Sequence, residues 1–238
     1  LEWDEGGQLW LVNTRFACLA TVTERFSFHP QWQPPFISEL APEDRCHLNG
    51  VAFVDGAPRY ATCLSTTDEA EGWRKNLPNT GALIDIATNE LILEGLPMPH
   101  SPRMVGEKLY MLLSATGELV RVDTGAGSYE VVQKIGGFVR GLAYHRDHLF
   151  VAFSKLRKNS STFRDLPIAD EATQAGIAVV HEPTGALVGK IVYSQSVDEI
   201  FDLSVLPNVR RPGIVGLDRE ERSLGVTMPA KTYWIRSR

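Results

Sequence analysis

Leu142-Ala-Tyr-His-Arg-Asp-His-Leu-Phe-Val-Ala-Phe-Ser154 decides the fold, because the chain repeats its form elsewhere. It reads as a short strand, a polar turn, then an apolar strand ending in a small polar residue. Leu1-Glu-Trp-Asp-Glu-Gly-Gly-Gln-Leu-Trp-Leu-Val-Asn-Thr14 has the same form. So do Gly50-Val-Ala-Phe53 with Tyr60-Ala-Thr-Cys-Leu-Ser65, and Arg103-Met-Val105 with Leu109-Tyr-Met-Leu-Leu-Ser114. Leu203-Ser-Val-Leu206 with Gly213-Ile-Val-Gly-Leu217 is a fifth, weaker copy. A second hairpin follows: Leu83-Ile-Asp-Ile-Ala-Thr-Asn-Glu-Leu-Ile92, Leu119-Val-Arg-Val-Asp-Thr-Gly125, and Ile177-Ala-Val-Val-His-Glu-Pro-Thr-Gly185. Apolar residues alternate around a Thr-Asn or Thr-Gly turn, which is hairpin chemistry.

Each unit is therefore four short antiparallel strands. Five units over 238 residues give about 48 residues each, the period of a β-propeller. A sandwich would not repeat one two-hairpin unit five times. Helical periodicity is nearly absent, and only Asp68–Lys75 reads as a helical turn. The sequence predicts one all-β propeller domain over 1–238 with five four-stranded blades, at 1–35, 47–95, 100–135, 138–195 and 200–238. The last is degenerate, with Lys231-Thr-Tyr-Trp-Ile-Arg236 as its outer strand. Leu1 already reads as mid-strand, so native sequence is expected before it, with room for a sixth blade.

With 43% hydrophobic and 22% charged residues, the chain can bury a sizeable core. A net charge of −5 gives no reason to expect nucleic acid or an anionic membrane as partner. No run approaches the ~20 apolar residues of a membrane span. Cys18, Cys46 and Cys63 form neither a disulfide framework nor a CxxC knuckle, which predicts a reducing, cytoplasmic setting. There is no phosphate loop, GxSxG elbow or HExxH motif, so no nucleotide cofactor is expected.

The two faces of the propeller read differently. Turns at Asp4–Gly7, Asp55–Pro58, Gly106–Lys108 and His145–His148 are short. The long charged segments Phe36–Cys46, Ser65–Thr80, Lys155–Ala175 and Asp218–Ser223 fall on the opposite face, which points to a ligand mouth there. Aligning the repeats stacks His47 with His100, Phe138 and Ile200, and Asn49 with Pro102, Arg140 and Asp202. Arg103 and Glu199 flank this ring. Asn49, Arg103, Arg140, Lys155 and Trp73 are the expected substrate-binding residues. His47, His100 and Glu199 are the expected proton carriers. Asp202 has a structural alternative, a clamp on Arg140 or Arg103. Trp73 either stacks on a ligand or caps a neighbouring blade. The insertion Lys155–Arg164 carries four cations and reads as an anion-binding lid, with Leu156, Phe163, Leu166 and Ile168 packing over the mouth. Cys46 and His47 are strand neighbours and so face opposite ways, which argues against a nucleophile pair.

His47-Leu-Asn-Gly-Val-Ala-Phe53, Met98-Pro-His-Ser-Pro-Arg103, Gly137-Phe-Val-Arg-Gly-Leu-Ala143 and Ser154-Lys-Leu-Arg-Lys-Asn-Ser160 together resemble an uncharacterised bacterial propeller family. That family is carried as a conserved hypothetical protein, sometimes associated with tetratricopeptide proteins. The resemblance implies the fold and no activity. More distantly, Asn49-Gly-Val-Ala-Phe53 is similar to the Asn-Gly-Leu-Ala-Trp string of the gluconolactonase and senescence-marker group. There an Asn, an Asp and a Glu hold a divalent metal. That likeness implies Asn49, Asp202 and Glu199 as ligands of Ca²⁺ or Mg²⁺, able to polarise a lactone carbonyl. Arg140 departs from the pattern, since a guanidinium beside a dication is unfavourable. Two functions are expected as alternatives. One is a propeller binding a small polar or anionic molecule, with metal-assisted lactonase- or esterase-like hydrolysis. The other is a non-enzymatic module recognising a peptide or protein on the same face.

Overall fold

The computed structural model describes residues 1–156, 162–210, 212, 216, 218, 219, 224–228 and 231–234. The chain divides into two compact units, 1–205 and 206–238. The first holds four sheets of four strands, each an antiparallel meander in chain order. Blade one is β1 (Glu2–Trp3), β2 (Leu9–Asn13), β3 (Cys18–Thr21) and β4 (His29–Trp32). Blade two is β5 (Leu48–Val54), β6 (Ala57–Cys63), β7 (Gly81–Asp85) and β8 (Glu90–Leu96). Blade three is β9 (Pro99–Val105), β10 (Lys108–Leu113), β11 (Glu118–Asp123) and β12 (Ser128–Lys134). Blade four is β13 (Phe138–His145), β14 (His148–Ser154), β15 (Ala175–His181) and β16 (Ala186–Tyr193). The fold is the propeller that the repeats predict.

The fifth repeat differs. In the second unit the described strands are one hairpin, β17 (Gly225–Met228) with β18 (Lys231–Trp234). The expected strand at Leu203–Leu206 is not formed. Ser154 donates its hydroxyl to the Ile200 carbonyl at 3.3 Å and accepts from the Ile200 N–H at 2.9 Å. A strand needs a full ladder, and among the described residues this stretch has only isolated bonds, that clip and the Lys155 N–H to Asp198 O at 2.9 Å. Gly213–Val215, Leu217 and Arg236 lie outside the described residues.

The expected tight turns are present. Asp55-Gly56 and Arg146-Asp147 each put two consecutive residues at positive φ, 49° and 70°, then 47° and 61°. That is the twist-compatible turn for a two-residue hairpin. The predicted turn near Asp68–Lys75 is a 3-10 segment, Gly72–Lys75.

The core lies between blades, so that blades two and three are packed on both faces. Leu19, Cys46, Leu48, Cys63 and Ile84 join blades one and two. Leu83, Met111, Leu113 and Val120 join two and three. Leu112, Val139, Val151, Phe153 and Val180 join three and four. At about 25 cal/mol per Å² of apolar surface, these layers supply the main driving force. Near the axis the innermost strands almost touch. A Cβ on Gly50 would lie 2.4 Å from Pro102 Cδ, and one on Gly141 (φ +80°) 2.7 Å from Asp202 Cα. Glycine is needed at both for close backbone approach.

Candidate functional site

The hydrogen-bond register changes which residues form the axial ring. Leu48, Pro99 and Val139 pair with the matching strand-end residues Cys63, Leu113 and Phe153. Farther along, Ala52, Arg103 and Ala143 pair with Tyr60, Tyr110 and Phe150. Each of these three innermost strands, β5, β9 and β13, carries a register shift between these levels. Asn49, His100 and Arg140 are therefore equivalent, and His47 matches Met98 and Phe138. The expected pairing of His47 with His100 is corrected by two residues. Strand side chains alternate with a period of two, so a two-residue slip leaves the pattern intact and sequence alone does not detect it. The serine hydroxyls that close one blade onto the next, Ser114 to Val139 O (2.5 Å) and Ser154 to Ile200 O, place Ile200 level with Val139. Phe201, rather than Asp202, then matches Arg140.

The ring opens on a cleft of about 230 Å³ whose wall includes Glu2, Asn49, His100, Arg103 and Asp202. A wider hollow of about 490 Å³, bordered by Trp3, Tyr144 and Leu203, shares Glu2, Arg103 and Asp202 with it. Of the residues expected to converge at the axis, Asn49, His100, Arg103 and Asp202 line this cleft, whereas His47, Arg140 and Glu199 do not. Glu2 joins them from a strand only two residues long, which gives no sequence signal.

Arg103 Nε donates to the Leu142 carbonyl at 2.6 Å, which fixes the guanidinium against blade four. Its Nη1 approaches Glu2 Oε2 at 3.7 Å, too long for a hydrogen bond. Asn49 is fully engaged as a clip: Nδ2 donates to Pro99 O at 3.0 Å, and Oδ1 accepts from Thr62 Oγ1 at 2.7 Å. Arg140 Nη2 faces Glu199 Oε2 at 3.6 Å. Its guanidinium also stacks on Phe138 and Phe201, 5.1 and 4.5 Å from the ring centres. Neither arginine is clamped by Asp202, whose Oδ1 accepts the Leu203 N–H at 2.8 Å.

His100 is 9% exposed, and burial pushes its pKa down to about 3; the nearby His47 and Arg140 add to this, and the bond to Met98 opposes it. Nδ1 lies 3.1 Å from Met98 O and 2.8 Å from Ser114 Oγ. Ser114 gives its own proton to Val139 O. Nδ1 must therefore carry the ring hydrogen, which leaves Nε2 an acceptor. A histidine held neutral this firmly is a poor proton carrier near pH 7, which corrects the general-acid role expected of it.

The mouth is a second region. His47 Nδ1 lies 3.0 Å from both Asp44 oxygens, and Trp73 Nε1 donates to Asp44 Oδ2 at 3.0 Å. The His47 and Trp73 ring centres are 4.3 Å apart. Phe163 continues the row to Trp73 at 6.5 Å and Phe138 at 5.7 Å. Leu166, Ile168 and Ala172 complete this cluster, with Leu156 and Phe163 packed on its side. The insertion thus packs over the mouth as its apolar residues foretold. Its cations Arg157 and Lys158 lie outside the described residues.

Arg45 braces the connections, donating to Glu39 (2.6 Å), Glu43 (2.9 Å) and Asp68 (2.8 Å). These bonds, led by that to Asp68, hold its pKa above the usual arginine value. Trp73 is 1% exposed, so it offers no face to a ligand and is a cap. Lys155 pairs with Asp198 at 2.5 Å and does not line the cleft.

Asn49, Asp202 and Glu199 do not fit a divalent cation as arranged. Asn49 Oδ1 takes the Thr62 proton, Glu199 faces a guanidinium, and Asp202 alone keeps one oxygen free, its other accepting a backbone N–H. Among the described residues no three His, Cys, Asp or Glu side chains are grouped to hold a metal. The three cysteines are free and buried. Contact with Cys63, then burial, raises the Cys46 thiol well above its usual pKa, leaving it unactivated. No helix among the described residues is long and apolar enough to cross a membrane.

Residues 1–215 match the family described as Domain of unknown function (DUF4915). The chain belongs to this family. No protein of curated function matches the DUF4915 chain significantly. Among solved structures it is similar to the computationally designed Ika4 protein, with 13% identity and TM-score 0.41 over 68% of this chain and 81% of that one. It is also similar to a chain of the nidogen/laminin complex, with 13% identity and TM-score 0.46 over 78% of this chain and 60% of that one. Kuenenia stuttgartiensis hydrazine synthase gives 13% identity and TM-score 0.46 over 80% of this chain and 47% of that one.

Proposed function

We propose that the DUF4915 chain binds a small polar molecule in the axial cleft, with Arg103 meeting its anionic group. The observation that carries this reading is Arg103 itself. Its guanidinium is fixed through Nε and 37% exposed, and it shares a cleft of about 230 Å³ with His100, Asn49, Asp202 and Glu2. Preorganised arginines suit carboxylate and phosphate groups. Hydrolysis is not part of this reading, because His100 is held neutral and the expected metal ligands have other partners.

The test is a thermal-unfolding screen of the purified chain against small carboxylates, hydroxy acids, phosphate, amino acids and polyols at about 10 mM. A ligand at about a hundredfold its Kd adds about 2.7 kcal/mol. At least one class is expected to raise the midpoint, and Arg103→Met is expected to abolish that response. A flat screen overturns the reading. A second reading, recognition of a peptide, is favoured by β16. All eight of its residues are exposed, with Val188 and Ile191 at 56% each, as an edge strand open to augmentation would be. Under that reading Val188→Lys with Ile191→Lys removes partner binding, and Arg103→Met does not.

A further inference from the structure

We infer that the cleft takes a small zwitterion of the α-amino acid pattern, its carboxylate on Arg103 and its ammonium against an acceptor wall of His100 Nε2, Asp202 and Glu2. The inference rests on the axial cleft being the ligand site.

Charge comes first. Among its side chains, the wall sets the carboxylates of Glu2 and Asp202 against one guanidinium, Arg103. Arg140 is already matched by Glu199. A pure anion would satisfy Arg103 and be repelled by both carboxylates. A pure cation would leave Arg103 unmatched. A molecule carrying both charges complements both halves of the wall.

Hydrogen-bond polarity points the same way. His100 Nδ1–H is spent on Met98 O and Ser114 Oγ, so the free ring atom is an acceptor. The groups facing this ring are His47, Arg140, Ser114 and Phe138. Two of these are cationic or basic and oppose its protonation, so it stays an acceptor through the physiological range. Asp202 has one oxygen on the Leu203 N–H, which leaves the other for a ligand. Arg103 has Nε on Leu142 O and no hydrogen bond to Glu2, so its Nη edge is open to a carboxylate. The wall thus pairs a concentrated set of acceptors with one forked donor. Size is compatible: about 230 Å³ holds a molecule of few heavy atoms, and the adjoining hollow of about 490 Å³ leaves room for a side chain.

The test is calorimetric titration of the full chain with L-serine, L-glutamate and L-lysine, then with N-acetyl-L-serine, L-lactate and ethanolamine. At least one amino acid is expected to bind. Removing the ammonium (N-acetyl-L-serine, L-lactate) or the carboxylate (ethanolamine) is expected to weaken binding tenfold or more. Asp202→Asn is expected to weaken amino-acid binding tenfold, with an unfolding midpoint like that of the wild type. If N-acetyl-L-serine or L-lactate binds as well as the amino acids, the ammonium assignment is overturned while the cleft reading stands. The same follows if no amino acid binds but another class in the broader screen does so through Arg103. If nothing binds in either experiment, both fall.

Discussion

Two histidines, His47 at the mouth and His100 in the channel, were expected to play one role and sit in opposite settings. His47 is oriented by a carboxylate, Asp44, within a roof of aromatic rings that also buries Trp73. His100 is oriented by a carbonyl and a hydroxyl, with no carboxylate on it, and borders an open polar cleft. The mouth is cross-braced and filled by its own side chains. The channel holds its charges loosely, as the 3.7 Å gap between Arg103 and Glu2 shows. Long connections on one face thus marked the roof, while the open space lies along the axis beneath. A conspicuous insertion can serve the scaffold, and a plain strand position can serve the site.

The comparison is most open to breaking at Trp73. Trp73→Ala should cost about 3–5 kcal/mol in denaturant unfolding, as for other large buried aromatics. A loss under about 1 kcal/mol would mean the roof is not structural. His100 comes next, through pH. Its folded pKa lies below the unfolded value, so the unfolded chain takes up a proton first as pH falls. The stability from neutral His100 is complete above about pH 6.5 and declines toward pH 3. The slope should be about 1.4 kcal/mol per pH unit between pH 6 and 4, and His100→Gln should remove that part of it. Equal slopes in the two proteins would refute the neutral, buried assignment.

A smaller effect is expected at Asp44. Asp44→Ala strips acceptors from Trp73 Nε1 and His47 Nδ1, and should cost about 1–3 kcal/mol by urea titration. The smallest change in stability belongs to Arg103→Met, within about 1 kcal/mol of wild type, although it should remove the ligand response. If Arg103→Met destabilised the chain more than Asp44→Ala, the contrast between roof and channel would be reversed.

The repeats made the fold legible, and with it blades one to four within a few residues. That Asn49, His100, Arg103 and Asp202 share a wall was also legible, since the repeat alignment puts all four at or near the start of a repeat, although Asp202 is not in a strand. Partners were not. Arg140 was expected near Asp202 and faces Glu199, and Trp73 was weighed as a ligand platform and lies buried. The fifth repeat was over-read: Leu203-Ser-Val-Leu206 alternates like a strand, yet it has no ladder partner among the described residues.

By itself the sequence determined which segments become strands, where they turn and which faces are apolar, because these follow from local alternation and turn chemistry. Only the tertiary structure decided the register of the ring, the tautomer of His100 and the charge balance of the cleft. Each depends on atoms contributed by different blades. Asn49 is held by a carbonyl of blade three, Arg103 by a carbonyl of blade four, and Ser114 spends its proton on blade four's first strand. A pattern of period two cannot count such contacts; the packing of one blade on the next fixes them.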